Sequence, residues 1–353
     1  MSLRWESGFA AFGADEVATL WRERVIPSAL MVVGAGFDPR APVAYECIAA
    51  ECKSPVDLMR LLLPLPTDPA TSGLAESAKE RINAAASAAK AKIIEFGKLD
   101  AEHSTGMKIA RSFFEAAEFM AYNEVIVDVS AMPRSVFFPL IRGLIELYDS
   151  GEWDGQLHVV ACDNPRIDAL VTGEGVETPS ALPGFSDHSA TDAETRIWVP
   201  VLGEGEEARL EALDDDIRAA EICPVLPFPA ADPRRADNLI LEYRALLIET
   251  MGVELRNFIH AAESNPFDLY RILSALNADY AATLKPLGEA RMVLSAHSSK
   301  LLSLGVLLAA FEQGLEVRHA GPSLYTIRDS PSVPALAEHD FIVDLWLTGA
   351  PYA

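Results

Sequence analysis

An acid, a hydroxyl and a guanidinium fall within seven residues in Asp128-x-Ser130-x-x-x-Arg134, part of the stretch VIVDVSAMPRSVFFPLIRGLIELY at 125–148. An apolar strand leads into this motif and a mostly apolar helix leads out. A helix N-terminus carries unpaired N–H groups and the positive end of the helix dipole, so anions collect there. Ser130 can donate its hydroxyl or cap the helix, and Pro133 suits a first helical turn. Arg134 offers a planar fork of donors to a phosphate or carboxylate, and Asp128 can hold a neighbouring loop or a sugar hydroxyl. An ordinary cap with Arg134 at the surface beside Asp128 is the alternative.

Three further loops could contribute. SAHSSK at 295–300 places His297, Ser298, Ser299 and Lys300 before another apolar helix, again suited to an anion. GAGFDPR at 34–40 follows an early strand. Gly34 and Gly36 permit close backbone approach there, followed by Asp38 and Arg40. It is not G-x-G-x-x-G, because Pro39 stands where the third glycine would fall. DPRRADN at 232–238 supplies Arg234 and Arg235 after a Pro-rich loop.

Composition narrows the chemistry. The 353 residues carry 29 Lys and Arg against 52 Asp and Glu, a net charge of −23. Such a surface repels duplex nucleic acid and anionic lipid, so neither is expected as a direct partner. Basic residues gathered in loops become local exceptions in an acidic field. Cys47, Cys52, Cys162 and Cys223 form no C-x-x-C pair and have no clustered histidines, so no metal site is expected. No P-loop, G-x-S-x-G or H-E-x-x-H is present, and the sequence suggests no bound cofactor. No apolar run is long enough to span a bilayer, and the N-terminus does not resemble a signal peptide, which makes a cytoplasmic location the expectation.

Strand and helix patterns alternate along the chain, indicating an α/β, Rossmann-like, mainly parallel sheet. Residues 1–171 read as one half, 172–194 as a Gly/Pro/Ser/Asp-rich linker or excursion, and 195–353 as a second, similar half. The shared plan rests on a "DPR" after an early strand and a late strand–polar loop–apolar helix–strand unit in each. The Ala-rich, charged run 74–102 reads as a long, exposed helical insertion with a narrow apolar stripe. Residues 253–262 read as a short helix, and 341–349 as a final strand of the second half.

The Asp128-x-Ser130-x-x-x-Arg134 spacing resembles the [Asp/Asn]-x-[Ser/Thr]-x-x-x-[Arg/Lys] motif of CRISPR-associated Rossmann-fold (CARF) domains. In that family it follows the fourth strand and faces a cyclic oligonucleotide or related nucleotide. The 295–300 loop is similar only at Lys300, since Leu294 and Ala296 stand where the acid and hydroxyl would be. SAVED domains of bacterial anti-phage systems resemble two such units in one chain. The resemblance implies a cytoplasmic sensor of a small nucleotide in a defence or stress response. It is compatible with a homodimer and with a separate effector protein. A second resemblance links VVGAGFDPRA to the GAGFDTR loop of leucine-carboxyl-type S-adenosylmethionine methyltransferases, where an acid ending the next strand holds the ribose. Glu46 and Glu51 are the acids nearest to that place here. A protein-interaction component without a small ligand is the third alternative, and whether the chain is an enzyme stays open.

Overall fold

The computed structural model describes residues 3–63, 69–96, 106–186, 195–288, 290–327 and 340–352. In chain order the elements are β1 (Phe9–Phe12), α1 (Ala14–Glu23), β2 (Ala29–Ala35), α2 (Val43–Glu51), β3 (Val56–Leu62), α3 (Pro69–Ala89) and β4 (Ile93–Phe96). There follow α4 (Gly106–Ala116), β5 (Glu124–Asp128), α5 (Arg134–Asp149), β6 (Gln156–Asp163), α6 (Pro165–Asp168), β7 (Val171–Glu174) and β8 (Ser180–Ala181). Next come β9 (Thr195–Val201), α7 (Glu207–Ile217), β10 (Glu221–Ile222), β11 (Val225–Pro227), α8 (Arg235–Glu242), β12 (Ile259–Ala261) and α9 (Pro266–Leu284). The last are β13 (Ala290–Ala296), α10 (Lys300–Gln313), β14 (Glu316–His319), β15 (Leu324–Ile327) and β16 (Phe341–Trp346). The fold is α/β and Rossmann-like.

Two compact units emerge. The first comprises Ser7–Thr172 with Leu324–Ala353, and the second Gly173–Ser323 with Met1–Glu6. In the first unit the sheet order is β1-β16-β6-β5-β2-β3-β4. The strands from β6 to β4 are parallel, and β16 and β1 extend the β6 edge in antiparallel fashion. Counting from β2, the parallel strands run third, second, first, fourth, fifth. That is the strand order of a doubly wound sheet, with its switch point between the first and fourth strands. In the second unit the order is β12-β11-β9-β13-β14-β8. Counting from β9, and leaving aside the short β10 paired to it, the same order returns. The two units therefore share a plan.

Strands covered on both faces must be apolar throughout rather than alternating. ALMVV of β2 and VIV of β5 are fully buried in that way, as is MVLSA of β13. The helices after the switch strands are apolar for the same reason: α10 is buried continuously from Leu301 to Ala310. At the amino ends of β5 and β6 lies a buried polar cluster. Trp21 Nε1 donates to Asp344 at 2.7 Å, and His158 Nδ1 lies 2.8 Å from the same carboxylate. Arg24 pairs with Glu124 and stacks 3.9 Å from the Trp346 ring centroid. This network fastens α1 and β16 to the sheet.

Several expectations are corrected. The Ala-rich helix is not an insertion running to 102. It stops at Ala89, Lys90 takes a left-handed φ of 55°, and Ile93–Phe96 becomes a strand paired with β3. Nor does it project: Ala78, Ile82 and Ala86, one turn apart, are buried, the last two within the core of the first unit. The portion 97–102 lies outside the described residues. Residues 259–261 form a strand, not a helix. The strand at 341–346 exists but pairs with β6, so it completes the first sheet rather than the second. The two "DPR" triplets are not equivalent either, since 38–40 follows the first strand of its unit and 232–234 follows the second.

Candidate functional site: two switch-point loops

The four loops divide into two pairs, 34–40 with 128–134 in the first unit and 232–238 with 295–300 in the second. Each pair lies beyond the carboxyl ends of its strands. In the first unit the loop after β2 presses against the loop after β5. A Cβ on Gly34 would lie 3.0 Å from Met132 and 3.1 Å from the Ala131 carbonyl, whereas Gly36 has open space out to 3.9 Å. Gly34 is thus a packing glycine, whereas Gly36 has no such close contact.

Arg40 is buried and wholly engaged. Its Nε and Nη2 grip Asp38 at 2.9 and 2.7 Å, and Nη1 donates to Asp168 at 2.7 Å. Burial opposes its charge, but the two carboxylates overcome that and hold its pKa well above the ordinary value. Arg40 therefore latches this loop to α6 and is not itself available to a ligand.

Asp128 and Ser130 are also inside. Asp128 Oδ1 accepts from the Ser130 N–H at 2.9 Å and from the Ser130 hydroxyl at 2.5 Å. Ser130 Oγ in turn accepts from the Cys162 N–H at 2.7 Å, tying the loop to β6. The second oxygen of Asp128, Oδ2, has no hydrogen-bond partner among the described residues. Burial pushes the Asp128 carboxyl up to about 7, opposed by the two bonds from Ser130. Arg134, half-exposed, is the first residue of α5, and Pro133 before it gives no side-chain cap.

The second unit repeats the geometry with a different filling. Gly203 follows β9, and a Cβ there would fall 2.2 Å from the His297 carbonyl oxygen. The glycine loop again meets the backbone after the fourth parallel strand. Here the loop N–H groups are held by side chains, whereas in the first unit Gly36 N–H donates to the Gly34 carbonyl at 3.2 Å. Gly205 N–H donates to Glu242 at 2.7 Å and Glu206 N–H to the Tyr243 hydroxyl at 2.9 Å. Arg235 holds Glu204 with two bonds of 2.7 Å and also pairs with Glu263, joining the loops after β9, β11 and β12. Arg234 is exposed. Ser299 caps α10 through Leu302 N–H, Ser298 is buried beside it, and Lys300 is the first helical residue.

His297 lies 2.9 Å from Ser295 Oγ through Nε2 and 3.4 Å from Glu206 through Nδ1. Burial would raise the Glu206 carboxyl, but His297 and Arg209 overcome it and hold the group at about 2. The acid–His–Ser line has the outline of a nucleophile relay. Ser295 is 0% exposed and receives Trp198 Nε1–H at 2.9 Å, so its oxygen is enclosed rather than presented to a substrate. Among the described residues no three potential ligands cluster for a metal ion.

One signal in the sequence escapes a motif search. Gly34-x-Gly36-x-x-x-Arg40 recurs as Gly203-x-Gly205-x-x-x-Arg209. Arg209 is buried like Arg40, pairing with Glu206 and donating to the Gly173 carbonyl at 3.0 Å. Both arginines lock a glycine loop in place, and Glu204, Glu206, Asp168 and Arg209 join the site only through that fold.

No family model and no curated protein matches the chain. Among solved structures, a catalytic-site mutant of active domain 2 of a thermostable chitinase from Pyrococcus furiosus, complexed with chito-oligosaccharides, aligns at 9% identity. It covers 83% of this chain and 97% of that one, with a TM-score of 0.17. The catalytic domain of a hyperthermophilic chitinase from the same organism aligns at 9% identity over 82% and 97%, with a TM-score of 0.16. At those scores the likeness carries neither fold nor function to this chain. Among the described residues no helix is long and apolar enough to cross a membrane.

Proposed function

We propose that this protein binds a phosphate-bearing nucleotide at the switch point of its first unit and acts as a sensor of it. The reading rests on one observation: at that point an open glycine loop faces a helix N-terminus headed by Arg134. The second unit has the same plan, but Glu242 and the Tyr243 hydroxyl already occupy the N–H groups a phosphate would use. Gly36 N–H is also bonded, to the Gly34 carbonyl at 3.2 Å, but among the described residues no carboxylate sits on it as Glu242 sits on Gly205, so the first unit is the favoured one.

Charge supports the choice. Arg40 offsets one of the two carboxylates it holds, Asp38 and Asp168, and burial raises the Asp128 carboxyl to about 7, leaving it part-protonated at neutral pH. Together these remove some of the repulsion an anion would meet on a protein of net charge −23. Ligand contact at 129–134 would reach β6 through the Ser130–Cys162 bond, a route by which occupancy is reported. The resemblance to CARF and SAVED domains extends the proposal to a cyclic oligonucleotide or related signal in a defence response, with a separate effector. The methyltransferase reading is less favoured. Glu46 and Glu51 lie on α2, where they pair with Arg81 and Arg22, and the described end of β3 is Leu61-Leu62-Leu63 rather than an acid.

Calorimetry against cyclic and linear nucleotides and S-adenosylmethionine tests this reading. A charge-assisted hydrogen bond is worth roughly 1.5–3 kcal/mol, so Arg134→Ala should weaken nucleotide binding about ten- to a hundredfold. Lys300→Ala should change it far less. Binding of S-adenosylmethionine alone, or equal affinity in wild type and Arg134→Ala, would overturn the assignment.

A further inference from the structure

Asp128 closes β5 inside the protein, 1% exposed, and its two oxygens are treated unequally. Oδ1 accepts both the N–H and the hydroxyl of Ser130, while Oδ2 has no donor among the described residues. A carboxylate keeps its charge away from water only where donors or a cation offset the lost hydration. Its charged and titratable neighbours are Asp38 and Arg40 from the loop after β2, Cys162 and Asp163 at the end of β6, and Arg134 at the start of α5. Arg40 is gripped by Asp38 and Asp168, and Asp38 repels the Asp128 charge. Cys162 brings no charge, because burial pushes its thiol well above the ordinary range. Asp340, just before β16, interacts with Cys162 and Arg40. Protonation removes the cost that Oδ2 bears, and burial raises this carboxyl to about 7.

The turn after β5 joins that carboxyl to the start of α5. It is tightened by Met132 N–H, which donates to the Val129 carbonyl at 3.1 Å. An anion seated at the head of α5 therefore adds its field to a carboxyl one turn away, in an interior that screens charge poorly. For a unit charge on the order of 8 Å away, at an effective dielectric of about 20, a carboxyl rises by roughly one unit or more. The liganded protein then keeps a proton that the free protein has partly released, and linkage makes that proton part of the binding equilibrium.

We infer that an anion binding at the first switch point takes up a proton on Asp128, so that the site reads ligand and pH together. This rests on the reading of that switch point as a nucleotide site. Asp128 acts through its field and the turn, without touching the ligand. Affinity is greatest below about pH 6, where free and bound protein both carry the proton, and falls roughly tenfold as pH rises to about 9.

Titration calorimetry of the full chain, in two buffers of different ionisation enthalpy, counts the protons. A cyclic dinucleotide is the first probe, because diester phosphates do not titrate near neutral pH. ADP is the linear probe, and its own titration cancels when wild type is compared with Asp128→Asn. At pH 7 the wild type should take up roughly 0.4 proton per ligand, as the carboxyl goes from about half to about nine-tenths protonated. In Asp128→Asn that uptake and the fall of affinity with pH should both vanish. The wild-type affinity measured across the same pH range tests the coupling without any variant. Binding without proton uptake, proton release, an affinity that does not fall with pH, or equal uptake in a folded Asp128→Asn would each overturn the inference and leave the nucleotide reading standing. Absence of binding by cyclic and linear nucleotides alike would overturn that reading, and this inference with it.

Discussion

Replacing Asp128 with Asn should change how stability depends on pH. Burial is the largest influence on this carboxyl and sets it at about 7, while hydrogen bonds from Ser130 pull the other way. An aspartate in an unfolded chain titrates near 3.9. Between about pH 4 and 7 the folded state therefore holds a proton that the unfolded state has released. The stability contributed by that proton is fully present below pH 4 and is lost as pH rises through 7. Three pH units at 1.36 kcal/mol each set the size at about 4 kcal/mol at most. Asparagine keeps the shape and the oxygen that accepts from Ser130, but it does not titrate. Urea unfolding of both proteins from pH 4 to 8 measures the difference. Relative to wild type, Asp128→Asn should gain stability steadily as pH rises, with most of the change between about pH 5 and 7. Parallel profiles across the whole range would refute the reasoning, because Asp128 would then titrate as an ordinary surface acid.

Two more tests address the architecture. Gly203→Ala forces a Cβ to within 2.2 Å of the His297 carbonyl, whereas Gly36→Ala meets nothing nearer than 3.9 Å. Thermal unfolding should show a cost of about 2–3 kcal/mol or more for the former and under about 1 kcal/mol for the latter; equal effects would contradict the packing role. Replacing residues 76–89 with a short Gly/Ser bridge removes Ala78, Ile82 and Ala86 from the interior, so the first unit should lose cooperative unfolding. A preserved sharp transition would show that α3 is dispensable.

The elements that local pattern can specify were legible in the chain. The strand at 156–163 is bounded by Gly155 and Asn164, and its apolar run leaves little choice of period. The turn at 128–134 was legible for its residue types but not for their burial. Asp128 and Ser130 look like ligand groups in a string of letters, and only the neighbouring β6 shows that Ser130 spends its oxygen on Cys162 N–H. The length of α3 was misread because Ala and Lys continue past Ala89 with good helix propensity. The left-handed Lys90 and the pairing of Ile93–Phe96 with β3 override that preference. Arg24, Glu124, His158 and Asp344 gave no signal at all, since charged residues scattered over about 320 positions read as surface until the sheet gathers them.

The placing of β16 has a consequence for how the molecule is made. Its partner β6 ends at Asp163, yet Phe341 pairs there only after the entire second unit has been synthesised. At about 5–20 residues per second the ribosome takes roughly 10–40 s to cross that interval. Throughout it, the nascent first sheet presents the apolar β6 as an open edge, the kind of strand that recruits wrong partners. The second unit, apart from six N-terminal residues made earlier, lies within one continuous segment and can close while the first still waits. Burdens on biogenesis, such as chaperone dependence or aggregation during rapid expression, should therefore fall on the half that begins first and finishes last.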